Sequence, residues 1–463
     1  MSDNLRKRIL GWMMFDWATQ PFYTLVLTFV FGPYFVSIAS EAFLSSGTPE
    51  AAAKAQAQGM WSWGQTGASL VVAALAPIVG AFADNSGRRM PWISLCAVLY
   101  LIGTMMLWMT YPDGSTLVLA LVGFAIAFVG AEFALIFVNS MLPGLGGPKE
   151  IGKISGNAYA LGYAGGVLSL FLMLLLIAEG ENGKTLLGLD PAFGLVDASE
   201  REGTRLVGPV TAVWFAVFMI PFFMWVKEPR IPGSQGGMGT ALTQLGRTLR
   251  SLPERKSLFA YLGGSMLYRD ALAALYGFGG TYAVLVLDWS ITQVGIFGIV
   301  GAVTAGIFSW LGGKLDSRIG PKPVISLCIV ILIVLCIVIL SMSREAFFGI
   351  PLAEGSGLPD LVFYVCGATI GAAGGVLQSA SRSMMVRHAD PARPTEAFGI
   401  YALAGKATAF IGPFLIGVTV VATENARLGA VPLIFLFAIG LVLLIWVDPE
   451  GDQTPAADGE VAA

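Results

Sequence analysis

Charged side chains inside long apolar runs are the residues of this chain best suited to chemistry. Glu132, Arg269, Asp270 and Lys406 each lie well inside a run of hydrophobic residues. If each run crosses a bilayer as a helix, these side chains lie roughly 15 Å from the nearer surface. A charge at that depth is costly, so its presence predicts a bound ligand, a bound proton or another charge nearby.

These four charges have two interpretations. In the functional one they line a cavity, where a zwitterion sets its carboxylate near a cation and its ammonium near a carboxylate, and Glu132 or Asp270 binds and releases a proton. In the structural one they are buried ion pairs that fix helix packing. The functional interpretation is favoured for the two carboxylates. For Arg269 and Lys406 the two interpretations are balanced.

The composition excludes several classes of protein. Of the 463 residues, 56% are hydrophobic and 12% charged, and the net charge of -3 offers no basic groove for nucleic acid. The four cysteines have no metal-ligand spacing, and the only histidine, His388, is predicted to be a solvated loop residue. A nucleotide-binding GxxxxGK[ST] pattern does not occur. We therefore expect no enzyme activity, no metal and no cofactor.

Twelve apolar runs are long enough to cross a bilayer, which predicts an all-α membrane protein. The predicted domains are an N-terminal six-helix bundle at 1–227, a cytoplasmic linker at 228–256, a C-terminal six-helix bundle at 257–447 and a disordered acidic tail at 448–463. The predicted spans are 14–40, 60–83, 91–111, 115–141, 153–178, 206–227, 257–287, 290–311, 322–342, 358–380, 396–422 and 427–447.

The positions of lysine and arginine predict the orientation. Most of the 27 basic residues lie on one side if both termini are cytoplasmic. The expected location is a bacterial inner membrane. In the linker, leucines at helical spacing beside Arg247 and Arg250 indicate either a helix on the membrane surface or a mobile segment.

Two polar loops half a chain apart have a similar arrangement. In each, glycine permits a tight turn, while acidic and basic residues can cap helix ends or form ion pairs that close the cytoplasmic face. The predicted gating residues are Gly80, Asp84, Gly87, Arg88 and Arg89 in the first loop and Asp316, Arg318, Gly320 and Lys322 in the second.

Both loops resemble the signature loop of the major facilitator superfamily, in which a glycine, an aspartate four residues on, a second glycine and basic residues join spans two and three. The first copy fits this pattern well. In the second copy, Asp316 stands one place early and Ser317 occupies the usual position of the aspartate.

Further motifs include Phe15-Asp16-Trp17-Ala18, Met266-Leu267-Tyr268-Arg269-Asp270, the run from Gly374 to Arg382, and Gly405-Lys406-Ala407. Together they resemble the autophagy-related vacuolar effluxer branch, also called the unknown major facilitator family. Family patterns usually show Asn-Ser where Thr19-Gln20 stand and Asn where Arg269 stands. The resemblance implies export of amino acids from a vacuole in fungal members, and transport without a settled substrate in bacterial members.

The resemblance also implies that spans one, four, seven and ten line a central cavity. Asp16 is shallow enough to be an interfacial residue instead, and Asn157 and Gln378 are also suited to joining helices to one another. The predicted substrate- or proton-binding residues are Asp16, Gln20, Glu132, Asn157, Arg269, Asp270, Gln378 and Lys406.

The predicted function is alternating-access secondary transport, coupled to protons, that exports a small zwitterionic or polar metabolite such as an amino acid. The expected partners are a small-molecule substrate, protons and the lipid bilayer, and the chain is expected to be monomeric. One alternative is efflux of amphipathic drug-like compounds, since 29 phenylalanines and 17 methionines could form an adaptable pocket. The other is a membrane sensor that does not transport.

Overall fold

The chain is described by a computed structural model that covers residues 2–180, 182–228 and 238–452. Within these residues, twelve helical segments are long and apolar enough to cross a bilayer, so the prediction of a twelve-span, all-α protein is confirmed. In chain order, spans 1 to 12 are Asp3–Ser45, Glu50–Ser86, Met90–Met109, Leu117–Asn139, Pro148–Ile177, Glu202–Trp225, Lys256–Leu287, Thr292–Ile319, Pro321–Leu340, Leu358–His388, Pro394–Thr423 and Ala426–Trp446.

Several spans of the first half are built from more than one helix. Span 1 changes directly after Pro21 into a π-helix, Phe22–Phe29. A second π-helix, Met173–Ile177, ends span 5. The α-helices are α1 Asp3–Pro21, α2 Phe31–Ser45, α3 Glu50–Ser86, α4 Met90–Met106, α5 Leu117–Asn139, α6 Pro148–Leu172, α7 Glu202–Arg205, α8 Val207–Phe218 and α9 Ile220–Trp225.

In the second half, span 11 is broken between Ala407 and Ile411. The strands β1 (Ala346–Phe347) and β2 (Ile350–Pro351) form a short antiparallel hairpin. The remaining α-helices are α10 Met238–Ser251, α11 Lys256–Leu287, α12 Ile291–Ile319, α13 Pro321–Leu340, α14 Leu358–His388, α15 Pro394–Ala407, α16 Ile411–Thr423 and α17 Val431–Leu443. Single 3-10 turns are Leu107–Met109, Leu142–Leu145, Pro191–Gly194, Leu252–Glu254, Ala426–Ala430 and Leu444–Trp446.

The chain forms two compact units. Their boundaries differ from those of two bundles divided at the linker. The first unit is Met1–Leu75, Ser86–Val138 and Leu161–Gly233. The second is Ala76–Asn85, Asn139–Ala160 and Ser234–Ala463. The second unit therefore contains the end of span 2 and the connection from span 4 into span 5. The predicted division into two sequential bundles stays a prediction.

Aromatic rings fill the core of the first unit. The ring of Phe22 lies 6.0 Å from that of Phe124 and 5.6 Å from that of Tyr100, between centroids. Tyr100 in turn stacks on Phe215 at 4.1 Å, and Trp61 lies 4.7 Å from Phe124. These contacts join spans 1, 2, 3, 4 and 6.

In the second unit, three glycines at four-residue spacing on span 10, Gly367, Gly371 and Gly375, form a stripe that faces span 8. A Cβ atom added to Gly371 would lie 2.1 Å from the carbonyl oxygen of Gly301, and one added to Gly375 would lie 2.8 Å from that of Ala305. Gly367 lies against the ring of Phe297 in the same way. The stripe allows two long helices to pack backbone to backbone.

Span 10 continues eight residues beyond its predicted end at 380, because α14 reaches His388. The prediction that His388 is a solvated loop residue is wrong, since the side chain is only 1% exposed. Its Nε2 atom lies 2.7 Å from the hydroxyl of Ser257, and its ring stacks on that of Tyr261. Protein rather than lipid buries this polar end of the helix.

The beginning of the predicted disordered tail is ordered. The carboxylate of Asp452 accepts hydrogen bonds from the backbone N–H groups of Ser257 (3.2 Å) and Leu258 (2.8 Å). These donors are otherwise unpaired at the start of a helix, so Asp452 caps α11. The prediction of disorder was wrong for 448–452. Residues 453–463 of the tail and 229–237 of the linker lie outside the described residues.

A helix crossing in the first unit gives a stability prediction. A Cβ atom at Gly103 on span 3 would lie 2.3 Å from the backbone nitrogen of Ala127 on span 4, whereas one at the exposed Gly67 would meet nothing within 4 Å. We expect Gly103→Ala to destabilise the protein by about 1–3 kcal/mol through overpacking. Thermal unfolding in detergent measures this. Equal melting temperatures for Gly103→Ala and the control Gly67→Ala would contradict the packing.

Candidate functional site

In the first unit, Glu132 lies beside the π-helix of span 1. Its side chain is 6% exposed and accepts a hydrogen bond from the hydroxyl of Tyr23 at 3.3 Å. Tyr23 is the second residue of this π-helix, which begins directly after Pro21. A carboxylate and a hydroxyl thus meet where the helix geometry is irregular, as is frequent at functional sites.

Asp16 and Gln20 are one turn apart on α1, and both are partly exposed. Span 5 approaches this face through glycines. A Cβ atom at Gly162 would lie 3.4 Å from the Cβ atom of Asp16, and one at Gly166 would lie 2.8 Å from the Cγ atom of Gln20. Both predicted residues therefore lie along the contact between spans 1 and 5.

In the second unit, Arg269 of span 7 rests on span 11. Its guanidinium carbon lies 4.3 Å from the centre of the Tyr401 ring, and its Nη1 atom lies 3.5 Å from the Tyr401 carbonyl oxygen. A Cβ atom at Gly405 would lie 2.6 Å from that same Nη1 atom. Glycine at 405 thus leaves the space that the guanidinium occupies.

Asp270, the next residue, is 3% exposed and contacts the other half of span 11. A Cβ atom at Gly412 would lie 3.2 Å from the carbonyl oxygen of Asp270. One carboxylate oxygen, Oδ2, is buried without a hydrogen-bond partner among the described residues. Neither Asp270 nor Arg269 forms an ion pair within the described part of the chain.

The remaining predicted binding residues are also in the second unit. Lys406 is partly buried in the last turn of α15, immediately before the break in span 11. Gln378 is partly buried on α14. Asn157 on α6 has a buried Oδ1 atom with no hydrogen-bond partner in the described residues. An unsatisfied amide oxygen at this depth is free to accept a hydrogen bond from a ligand or from water.

Arg382 is a buried cation that the sequence analysis did not place in the site. It is 2% exposed and lies one turn beyond Gln378 on α14. Its guanidinium donates hydrogen bonds to the hydroxyl (2.9 Å) and carbonyl (2.9 Å) of Ser155 and to the side-chain oxygen of Asn139 (3.2 Å). It also lies over the ring of Tyr159, at 4.3 Å. These contacts tie span 10 to the end of span 4 and to the first half of span 5.

The first of the two predicted gating loops caps another helix. The Asp84 carboxylate accepts a hydrogen bond of 2.8 Å from the backbone N–H of Glu396, in the first turn of α15. One turn earlier on span 2, a Cβ atom at Gly80 would lie 2.6 Å from the carbonyl oxygen of Thr395. Gly80 therefore brings span 2 close enough for Asp84 to reach the positive end of the α15 dipole.

The rest of the first loop is held within the first unit. Gly87 has a φ of +65°, a left-handed conformation that favours glycine. The Glu228 carboxylate accepts hydrogen bonds from the backbone N–H groups of Arg89 (2.7 Å) and Met90 (3.1 Å), at the start of α4. The Arg89 side chain is buried, with Nη1 3.8 Å from Glu228, whereas Arg88 is exposed.

The second loop places Asp316 against span 5. Asp316 is 2% exposed, and a Cβ atom at Gly152 would lie 2.5 Å from its carboxyl carbon. Next to it, a Cβ atom at Gly156 would lie 2.5 Å from the Cα atom of Gly313. Span 8 thus crosses the start of span 5 much as span 2 crosses the start of span 11. Despite its shifted place in the motif, Asp316 faces the neighbouring helix.

The other residues of the second loop have different surroundings. Gly320 has a φ of +83° where α12 ends and α13 begins. The Lys322 ammonium donates a hydrogen bond of 2.8 Å to the carbonyl of Val447, which follows span 12. Arg318 is exposed. The described residues contain no group of three or more His, Cys, Asp or Glu side chains that could hold a metal ion.

Comparison with known proteins assigns these features to a family. A family model described as "Vacuole effluxer Atg22 like" matches residues 147–456. The chain belongs to this family. A relative of this chain from Bacillus subtilis, the uncharacterized MFS-type transporter YxiO, is 24% identical over 460 residues, and the match covers 97% of each chain. Autophagy-related protein 22 of Coccidioides immitis is 24% identical over 316 residues, or 64% of this chain and 49% of that protein. The chain thus spans about half the length of this fungal relative.

Solved structures show that this family member has the major facilitator fold. The human organic anion transporter MFSD10 (TETRAN) superposes with a TM-score of 0.69 at 15% identity, covering 96% of this chain and 100% of that one. The Escherichia coli fucose:proton symporter FucP has a TM-score of 0.63 at 15% identity, with coverage of 95% and 98%. The predicted major facilitator fold is therefore confirmed.

The buried contacts of Arg382 give a second stability prediction. Replacing it by glutamine removes donors from acceptors that have no access to water, at a cost of about 1–3 kcal/mol. We expect Arg382→Gln to lower the melting temperature of the purified protein in detergent, and Arg382→Lys to restore only part of the loss because lysine lacks the planar fork. The exposed Arg318→Gln variant is the control. A melting temperature equal to that of the control would show that the contacts of Arg382 do not stabilise the fold.

Proposed function

We propose that this chain is a proton-coupled secondary transporter that exports a small zwitterionic or polar metabolite, such as an amino acid, by alternating access. The observation that supports this most is the pair of opposite charges on span 7. Arg269 and Asp270 lie deep in the span, and neither forms an ion pair among the described residues. Charges at such depth without a protein counterion are explained by a ligand and a proton.

Arg269 is the proposed anchor for a substrate carboxylate. One face of its guanidinium lies on the Tyr401 ring, which holds the plane in position. The N–H groups on the edge of that plane remain suited to two parallel hydrogen bonds with a carboxylate. The major facilitator structure with a TM-score of 0.69 is that of an organic anion transporter, which agrees with an anionic group on the substrate.

Asp270 is the proposed proton-binding group in the second unit. Its buried Oδ2 atom has no hydrogen-bond partner in the described part of the chain. A proton on this carboxyl would remove a negative charge from the membrane interior and supply an O–H donor. The fucose:proton symporter shows that proton coupling is compatible with this fold. Glu132, with its Tyr23 contact, is the second candidate.

The break in span 11 connects the two groups mechanically. Tyr401 and Gly405 of α15 contact Arg269, whereas Gly412 of α16 lies against Asp270. Binding at Arg269 and protonation at Asp270 therefore act on different half-helices of one span. Broken helices of this kind form ion and substrate sites in other transporters.

The family description, which names a vacuole effluxer, supports export as the direction of transport. In this proposal the chain lies in a bacterial inner membrane with both termini in the cytoplasm, and it works as a monomer. The distribution of lysine and arginine and a Bacillus subtilis relative that matches over 97% of its length support that location.

Transport by proteoliposomes tests the role of Arg269. Counterflow of labelled amino acids is measured for wild type, Arg269→Gln and the exposed control Arg6→Gln. We expect Arg269→Gln to raise the half-saturation concentration about tenfold or more for a carboxylate substrate, because a buried charged partner is lost. The corresponding amino acid amide, which has no carboxylate, should not distinguish the variant from wild type. If Arg269→Gln raises the half-saturation concentration equally for the amino acid and for its amide, Arg269 does not bind the carboxylate.

A separate comparison tests Asp270. Counterflow needs no net proton movement, whereas uphill transport in a pH gradient does. We expect Asp270→Asn to retain counterflow and to lose transport driven by the gradient, while Asp288→Asn, an exposed aspartate at the end of the same helix, keeps both. Gradient-driven transport by Asp270→Asn at the wild-type rate would exclude Asp270 as the coupling group. Efflux of apolar cations with no transport of any amino acid would instead support the drug-efflux alternative.

A further inference from the structure

Helix α10, before span 7, has two distinct faces. Ala241 (1% exposed) and Leu245 (5% exposed) are buried, whereas Leu242 (45%) and Leu249 (40%) are exposed. Leu242 and Leu249 are seven residues apart, so they lie on nearly the same side of the helix. Because one face of α10 is already buried, the exposed leucines can leave water only by contacting a second apolar surface.

The position of α10 relative to the membrane identifies that surface. The helix ends at Ser251, one 3-10 turn follows at Leu252–Glu254, and span 7 starts at Lys256. In the first turn of span 7, the Phe259 side chain is 55% exposed, as expected for a residue that faces lipid. The last turn of α10 is therefore at the level where the chain enters the bilayer.

The charge of this segment matches an anionic surface. Residues 238–256 contain four basic residues, Arg247, Arg250, Arg255 and Lys256, against one acidic residue, Glu254. Arg247 and Arg250 are both exposed on α10, but only Arg250 flanks the two exposed leucines, since Arg247 lies about 160° from Leu249 around the helix axis. A long basic side chain beside an apolar stripe is typical of helices that lie in the headgroup region, where the stem packs on lipid and the charge reaches phosphates.

We propose that α10 is an interfacial helix that binds anionic phospholipids through Leu242, Leu249 and Arg250. A different face of α10 contacts α15, since Thr248 and Ser251 share a small cavity with Glu396 and Ala397. The backbone of Glu396 is the group that Asp84 caps, at 2.8 Å.

A depth measurement on the full chain tests the proposal independently of any transport substrate. Leu249→Cys is labelled with an environment-sensitive fluorophore, and Arg247→Cys, at an exposed position on the nearly opposite side of α10, is the matched control. The four native cysteines are buried, and unmodified protein gives the background label. Both labelled proteins are reconstituted with nitroxide-bearing lipid in phosphatidylcholine alone or mixed with phosphatidylglycerol.

We expect the label at 249 to be quenched several-fold more than the label at 247, with a further increase in phosphatidylglycerol that salt reverses. Adding Arg250→Gln should weaken the dependence on phosphatidylglycerol about fivefold, the effect of one basic residue near such a surface, whereas adding Arg247→Gln should leave it unchanged. Their unchanged melting temperature would show that the fold is intact. Equal quenching at the two positions, or quenching at 249 that ignores lipid charge, would overturn the proposal.

Discussion

The core of a bilayer contains no water, so each charged side chain and each backbone amide there depends on the protein for its partners. Helices satisfy their own backbone groups, and this requirement explains the twelve apolar spans. Within span 11 the helix is interrupted between α15 and α16, so this regular backbone hydrogen bonding is broken there. Arg269, Asp270 and Lys406 all lie beside that break. Polar side chains and irregular backbone thus occur together, as expected where a span lines a cavity rather than lipid.

The number of spans could be predicted from sequence because bilayer thickness sets a minimum length for an apolar run. The ends of the spans could not. Hydropathy stops near Ala380, but α14 continues to His388 because protein, rather than lipid, buries its last two turns. Arg382 was missed for the same reason. The pair Ser381-Arg382 follows an apolar run, and such a polar pair predicts the end of a span. The hydrogen-bond partners of Arg382, Ser155 and Asn139, are more than 200 residues away in sequence.

For the candidate site, depth alone selected Glu132, Arg269, Asp270 and Lys406, because a charge in an apolar run is visible in any sequence. Their surroundings were not visible. Tyr401 and Gly405 are more than 130 residues from Arg269, and only the packing of span 7 on span 11 shows that a ring and a missing side chain shape the guanidinium site. Motif spacing likewise could not show that Asp316 faces span 5 although it stands one place early.

The crossing of spans 5 and 8 at Gly156 and Gly313 has a kinetic consequence. Interdigitated side chains must change rotamers in order to separate, and they must find the same rotamers again on return. Glycine has no rotamers, so this contact is backbone against backbone, and its register depends on helix shape alone. Two helices that meet in this way can part and rejoin without becoming trapped in a wrongly packed arrangement. Such a contact suits a surface that separates and closes many times during the life of the protein.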